Sequence, residues 1–406
     1  MKSPVYLDYA ATTPLDSAVF DAMKPYLGQL SVKSKESTVA FGNPGSLHSF
    51  GQQASAALFT ARQMIAKELG CRYNEVVFTG SATEANNLAL RGAIKQWRFL
   101  QSAASTVQPR IIISAIEHES ILATAKDLGQ EGVEVVVIPV SKEGSVDLQK
   151  IAAALTSQTV LVSVMYANNE IGTLQPIAEI ARSIQSFRRS TSVYPLLHTD
   201  AVQAFQYVSC NVEKLGVDLL TLSAHKIYGP KGIGALYVRA ASTPNLKPTI
   251  TGGGQEFGLR SGTENVAAIV GFSKAVSLAA MNREDEAMRV ATLRNQAWAG
   301  IKKLFPKVVL NGPATTSSTR LPNNLNWYAH GVSGEQLLVA LDLDGVAVSS
   351  GSACAARSTA PSHVIQALGC SLAQAKNSLR VSLGAPTTSA DIRRFLAALQ
   401  RAKKQA

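Results

Sequence analysis

Val217-Asp218-Leu219-Leu220-Thr221-Leu222-Ser223 is a short apolar run that breaks directly into Ala224-His225-Lys226; after Ile227-Tyr228-Gly229-Pro230-Lys231-Gly232, a second run occupies Gly234 to Arg239. Runs so uniformly apolar read as strands with both faces covered. Similar runs fill Glu75 to Thr79, Arg110 to Ala115, Val133 to Pro139, Thr159 to Met165 and Tyr194 to Thr199. Between most of them lie segments spaced as helices, at Ala82 to Phe99, Ser120 to Leu128 and Pro176 to Phe187. The alternation predicts an α/β fold, a mostly parallel seven-stranded sheet between layers of helices. After about residue 265 the pattern changes to a long helical stretch, Ala267 to Leu304, then short strands near Leu325 to Tyr328 and Val346 to Ser349. The expected division is therefore a large domain over 17–265 and a smaller α+β domain formed by 1–16 and 266–406.

The 406 residues, 46% of them hydrophobic, suffice for two compact units. No stretch reaches the ~18 uninterrupted apolar residues of a membrane span, and Met1-Lys2-Ser3-Pro4-Val5-Tyr6-Leu7-Asp8 has no apolar signal core, so a cytoplasmic protein is expected. Cys71, Cys210, Cys354 and Cys370 are widely spaced, without a CxxC pair or a histidine at zinc-ligand spacing, which argues against a disulfide framework or a metal site. The formal charge of +11 is spread along the chain, with one cluster from Arg393-Arg394 to Lys403-Lys404 that reads as a solvated helix face; direct nucleic-acid binding is not expected.

Polar residues stand at or just past the ends of five strands: Ser81 and Thr83, His118, Asn168 and Asn169, Asp200, and His225 with Lys226. Open α/β sheets bind ligands at such ends. A lysine there is costly to bury unless it is paired or reacting, and lysine forms Schiff bases once its pKa is lowered; a snorkelling surface lysine is the alternative. Asp200 suits a partner for a protonated ring nitrogen and equally suits a helix N-cap. Phe78-Thr79-Gly80-Ser81-Ala82-Thr83 reads as strand, turn and helix start, a place for a phosphate, without the GxxxxGK[ST] pattern of a nucleoside-triphosphate loop. His118 suits stacking on a flat ring or a capping role, and His48, His330 and His363 read as structural. Ser349-Ser350-Gly351-Ser352-Ala353-Cys354-Ala355-Ala356-Arg357 surrounds one thiol with small residues and a cation that favours its thiolate; the other three cysteines read as packing residues.

Together with Tyr6-Leu7-Asp8-Tyr9-Ala10-Ala11-Thr12, Phe41-Gly42-Asn43-Pro44, Asn168-Asn169-Glu170-Ile171-Gly172 and Ser378-Leu379-Arg380-Val381-Ser382, these pieces resemble the cysteine desulfurases of the NifS and IscS type, within the class V aminotransferases of fold type I. The resemblance implies pyridoxal 5'-phosphate as cofactor, with Lys226 as its Schiff-base lysine, Asp200 on the ring nitrogen, Gln203 on the ring hydroxyl and His118 stacked on the ring and aiding proton transfer. Ala82, Thr83, Ser223 and His225 would hold the phosphate, joined by Thr263 from the other subunit of a homodimer. Asn169 and Arg380 would bind the carboxylate of L-cysteine, and Cys354 would take its sulfur as a persulfide, leaving alanine. The implied acceptor is an iron-sulfur scaffold or a tRNA-thiolation enzyme. Two departures are visible: Ala355-Ala356 where relatives often carry Ser or Thr, and only about twenty residues after Leu383-Gly384. A selenocysteine lyase or another class V enzyme would share Lys226 and Asp200, and a sulfur-carrier or tRNA-binding module is the reading from charge alone.

Overall fold

The computed structural model describes residues 4–27, 41–101, 106–188, 194–240, 246–351 and 361–404. After β1 (Val5–Tyr6) and α1 (Ser17–Met23), the chain forms α2 (Ser49–Leu69), which the sequence reading did not anticipate. His48 caps its start by accepting the Gly51 N–H, and Gly70, at φ +70°, ends it in the left-handed conformation that glycine adopts without strain. There follow β2 (Val76–Thr79), α3 (Ala82–Leu100), β3 (Arg110–Ser114), α4 (Glu119–Gln130), β4 (Glu134–Ile138), α5 (Leu148–Ala154), β5 (Thr159–Ser163), α6 (Ile177–Phe187), β6 (Leu196–Asp200), α7 (Val212–Leu215), β7 (Leu219–Ser223) and β8 (Gly234–Val238). Each of the seven anticipated runs contributes one strand to a single sheet of order β2-β8-β7-β6-β5-β3-β4. Pairing is parallel from β7 to β4, and β8 runs antiparallel between β7 and β2.

Alternation along the strands serves two cores, because successive side chains point to opposite faces. Val76, Phe78, Ile112, Val162, Leu197 and Leu220 face one cluster, while Val77, Ile111, Ile113, Leu161, Leu196 and Leu219 face the other with α3 and α4. This double burial is why the strands read as continuous apolar runs.

The stretch expected as one helix over 267–304 is two, α8 (Val266–Met281) and α9 (Arg283–Leu304), broken at Asn282. α8 buries Ile269, Phe272 and Val276 in the first sheet core, whereas α9 buries Val290, Leu293 and Ile301 in a separate core with Val5, Leu7, Trp327 and Phe395. By packing, the change of core therefore falls one helix later than the expected boundary at residue 265. The second core is completed by β9 (Val309–Leu310), β10 (Asn324–Tyr328), α10 (Gly334–Leu343), β11 (Val346–Ala347), α11 (His363–Ala367), α12 (Leu372–Asn377), β12 (Leu379–Ser382) and α13 (Ser389–Ala402). β10 pairs with β12 and β9, and β1 pairs with β11, so the first residues of the chain belong to this layer.

A buried ion pair holds the start of β2. Arg62 of α2 grips Glu256 through two bonds of 2.6 and 2.8 Å, and Glu256 also accepts the Phe78 N–H at 2.8 Å. Replacing Glu256 by alanine leaves the guanidinium buried and uncompensated, so Glu256→Ala should lose about 3–5 kcal/mol of stability. A melting temperature equal to that of the parent protein, read by circular dichroism, would refute this role for the pair.

Candidate active site

The carboxyl ends of β3, β5, β6 and β7 fall on one edge of the sheet because these strands are parallel; β2, two antiparallel steps from β7, ends there as well. Strand order also reverses here, since β3 lies between β4 and β5, and such a switch opens a crevice. The crevice is a cavity of about 500 Å³ lined by Ala82, Thr83, His118, Asn169 and Asp200, together with Gln203, Ser223, His225, Lys226 and Arg380. Ten positions expected at a site thus meet in one place.

Asp200 is the last residue of β6 and is 5% exposed. Its carboxylate accepts the Asn86 amide at 2.9 Å and the Val202 N–H at 3.0 Å. Asn86 was not singled out as a site residue from sequence; it lies on the buried face of α3, also donates to Ser120 at 2.8 Å, and keeps a buried Oδ1 without a partner. A buried asparagine on a largely apolar helix face was the available signal.

Lys226 follows β7, and its Nζ donates to the carbonyls of Ala10 and Ala11, each at 2.6 Å. Gln203 reaches the same Ala10 carbonyl at 3.0 Å. Arg380, 1% exposed, donates to the Asn169 carbonyl at 3.0 Å and to Asp8 at 2.7 Å, while its Nε is buried without a partner. That idle donor suits a further anionic acceptor. Ser81 caps α3, so the N–H groups of Ala82 and Thr83 lack intrahelical acceptors and carry the positive end of a 19-residue helix beside Ser223. His118 caps α4, its Nδ1 accepting the Ser120 N–H at 3.1 Å.

A match to the class V aminotransferase family spans residues 5–395. The cysteine desulfurase IscS of Dictyoglomus turgidum is 44% identical over 401 residues, covering 99% of this chain and 95% of that protein. The chain belongs to the cysteine desulfurase branch of this family. Cysteine desulfurase IscS 1 of Archaeoglobus fulgidus is 42% identical and covers 97% of the chain and 95% of its own length. Among solved structures, a NifS-like protein superimposes with a TM-score of 0.87 at 32% identity, covering 99% of this chain and all of its own. A structure of SspA in complex with cysteine gives a TM-score of 0.77 at 33% identity over 93% of this chain and 98% of its own.

Within this desulfurase, Cys354 lies outside the described residues, and Thr263 is exposed and does not line the cavity. Burial pushes the Cys71 and Cys210 thiols up to about 12 and raises Cys370, which disfavours their thiolates. Among the described residues no cluster of three His, Cys, Asp or Glu is placed to hold a metal ion.

Two imidazoles are held neutral. Burial lowers His198, set between Ser163 and Thr221, to about 3. His225, 3.1 Å from Thr12, falls to about 4 through burial first and then the charges of Lys226 and Lys231. Glu117 shifts the other way: burial raises it to about 8, although it accepts hydrogen bonds from Ser114 and from the Met165 N–H at 2.8 Å. A histidine of depressed pKa contributes stability that is present above its unfolded value of 6.5 and is lost as pH falls towards 4. Glu117 opposes this, its contribution being present below 4.5 and lost as pH rises through 8. For the cofactor-free protein, the urea midpoint of His225→Gln should therefore decline less between pH 7 and pH 5 than that of the parent. Parallel declines would refute the assignment.

Proposed function

We propose that this chain is a pyridoxal 5'-phosphate-dependent cysteine desulfurase that moves the sulfur of L-cysteine onto Cys354 and releases L-alanine. The observation that carries the reading is the meeting of Lys226, Asp200 and Arg380 in one cavity, within a chain so close to named desulfurases over its whole length.

The side chains fit the cofactor. The positive end of α3, the Thr83 and Ser223 hydroxyls and His225 suit a phosphate, joined in the dimer by Thr263 of a second copy of this chain. Asp200, held on both oxygens by donors, stays an acceptor for a ring N–H, and Gln203 and His118 are within the same cavity for the ring hydroxyl and face. When bound, the cofactor supplies an electron sink for the pair left as the substrate's α-proton departs.

The chain's own residues do the rest. Arg380 and Asn169 hold the substrate carboxylate, an arrangement the idle Arg380 Nε supports. The Lys226 amine, poised on the Ala10 and Ala11 carbonyls, takes the α-proton, and His118 assists proton movement. The Cys354 thiolate then attacks the substrate sulfur; the new S–S bond forms as the C–S bond breaks, and the three-carbon remainder gains a proton and leaves as alanine. The persulfide passes to an acceptor protein, an iron-sulfur scaffold or a tRNA-thiolation enzyme.

A homodimer is part of this reading, supported by exposed aromatic residues that gather at Phe59, Tyr73 and Phe257 with ring separations of 5.3 and 6.4 Å. No helix among the described residues is long and apolar enough to cross a membrane. The unpaired Cys71, Cys210 and Cys370 suit the reducing cytoplasm.

Sulfide and alanine released from L-cysteine under reductant, with absorbance near 400 nm recorded, test the proposal. Equimolar products from the parent, lost in Cys354→Ala with the yellow colour kept, are expected; undiminished turnover in that variant would point to a lyase, and a colourless parent would refute the cofactor. Arg380→Lys, which loses the planar fork, should raise KM for L-cysteine by roughly ten-fold or more with the absorbance unchanged. An unaltered KM would exclude Arg380 from the carboxylate site.

A further inference from the structure

The two residues read as holding the substrate carboxylate come from different packed units. Asn169 sits in the turn that follows β5 of the seven-stranded sheet, whereas Arg380 is on β12, whose Leu379 and Val381 pack in the second core. Three donors on one face of the smaller sheet meet two consecutive carbonyls of that turn. Arg380 donates to the Asn169 carbonyl at 3.0 Å, and the amides of Asn324 and Asn326 donate to the Glu170 carbonyl at 2.9 and 3.2 Å. Alternation along β10 puts both asparagines on the face opposite Leu325 and Trp327, and Asn326 stands directly across from Arg380 in the pairing of β10 with β12.

The orientation of each amide is fixed by what its oxygen accepts. Asn324 Oδ1 accepts from Arg320 at 3.1 Å, and Asn326 Oδ1 accepts from Asn311 at 2.7 Å. Asn311 also donates to the Ser378 hydroxyl at 2.8 Å and accepts from Gln374 at 2.7 Å. Both nitrogens therefore face Glu170, since a flipped amide would set its oxygen against the carbonyl oxygen. Asn311, Asn324 and Asn326 are each at most 2% exposed, so water does not stand in for a lost partner. The return limb of the turn is held separately, by the Leu321 N–H on the Gly172 carbonyl at 2.8 Å. The asparagines act on the limb that carries Asn169.

We propose that Asn324 and Asn326 are positioning residues that hold the Asn169 turn against Arg380, and so set how tightly the substrate carboxylate is bound and how well the site separates L-cysteine from the same amine without a carboxylate. The proposal rests on the desulfurase reading above. Within each unit the strands are fixed by their own core, so slippage between Asn169 and Arg380 arises at the joint. Three donors on two adjacent carbonyls restrain both the separation and the tilt of the turn. Misplacement of a binding group by about 1 Å can cost ~100-fold. Neither asparagine has to touch the substrate.

The test compares the parent with Asn324→Asp and Asn326→Ala, each as holoenzyme. Asn324→Asp gives the buried Arg320 a carboxylate, so the fold and melting temperature should be kept while the donor to Glu170 is lost. Absorbance changes are titrated with L-cysteine and with cysteamine, which lacks the carboxylate, and deuterium uptake by the 166–174 segment is followed by mass spectrometry. In both variants the half-saturating L-cysteine concentration should rise roughly ten-fold, that of cysteamine should stay within about two-fold, and uptake should quicken. An unchanged value for L-cysteine would overturn the proposal. So would an equal rise for cysteamine, which marks a general disturbance of the cavity. A parent that neither responds to L-cysteine nor forms alanine would overturn the desulfurase reading instead, with the deuterium uptake still deciding whether the two amides hold the turn.

Discussion

Parallel pairing of β3, β5, β6 and β7 makes their chain direction common, so each strand delivers its last residue to the same edge. A helix must return behind the sheet before the next strand begins, so the backbone turns at that edge with polar groups unclaimed by the ladder. Asp200 and Ser223 are the last residues of β6 and β7, and His225 and Lys226 follow Ser223 in the connection to β8. The apolar burial of both sheet faces, from Phe78 and Leu220 on one side to Ile113 and Leu219 on the other, keeps the edge rigid enough for hydrogen bonds of 2.6 to 3.0 Å to hold carboxylate and amine in place.

The sheet alone does not finish the cavity. The amine of Lys226 rests on carbonyls contributed by Ala10 and Ala11, and Arg380 arrives on β12, its charge met by Asp8. Both come from the layer built around the second core, where Val5 and Leu7 pack with Trp327 and Phe395. The cavity is therefore a joint between two packed units, and substrate contacts depend on how the 8–12 segment crosses from one to the other. The cations Lys226, Lys231 and Arg380 line it with Asp200.

The titrating groups around this joint pull in opposite directions. His198 and His225 are kept neutral by burial, and Glu117, one residue before His118, is kept protonated by the same cause. Neutral groups of this kind leave the field in the cavity to Lys226, Lys231, Asp200 and Arg380, because charge is expensive without solvent or a partner.

Strand and helix alternation, the polar residue at each strand end and the small-residue surroundings of Cys354 were all legible in the sequence, because apolar periodicity and turn chemistry are local. α2 escaped notice because its buried face is largely small residues such as Gly51, Ala54 and Ala61, which weaken the periodic signal. The break at Asn282 was hidden because α8 and α9 are both helical on either side of it. His363, read as structural, donates to the Glu117 carbonyl at 3.0 Å beside His118. By itself, then, the sequence determined the α/β class and which polar residues stand at the strand ends. Only tertiary structure decided that Asn86 supports Asp200, that α8 packs with the sheet and α9 with the other core, and that Glu170 meets Ser362. Those partners are far apart in the chain, and which faces meet depends on packing that no local pattern encodes.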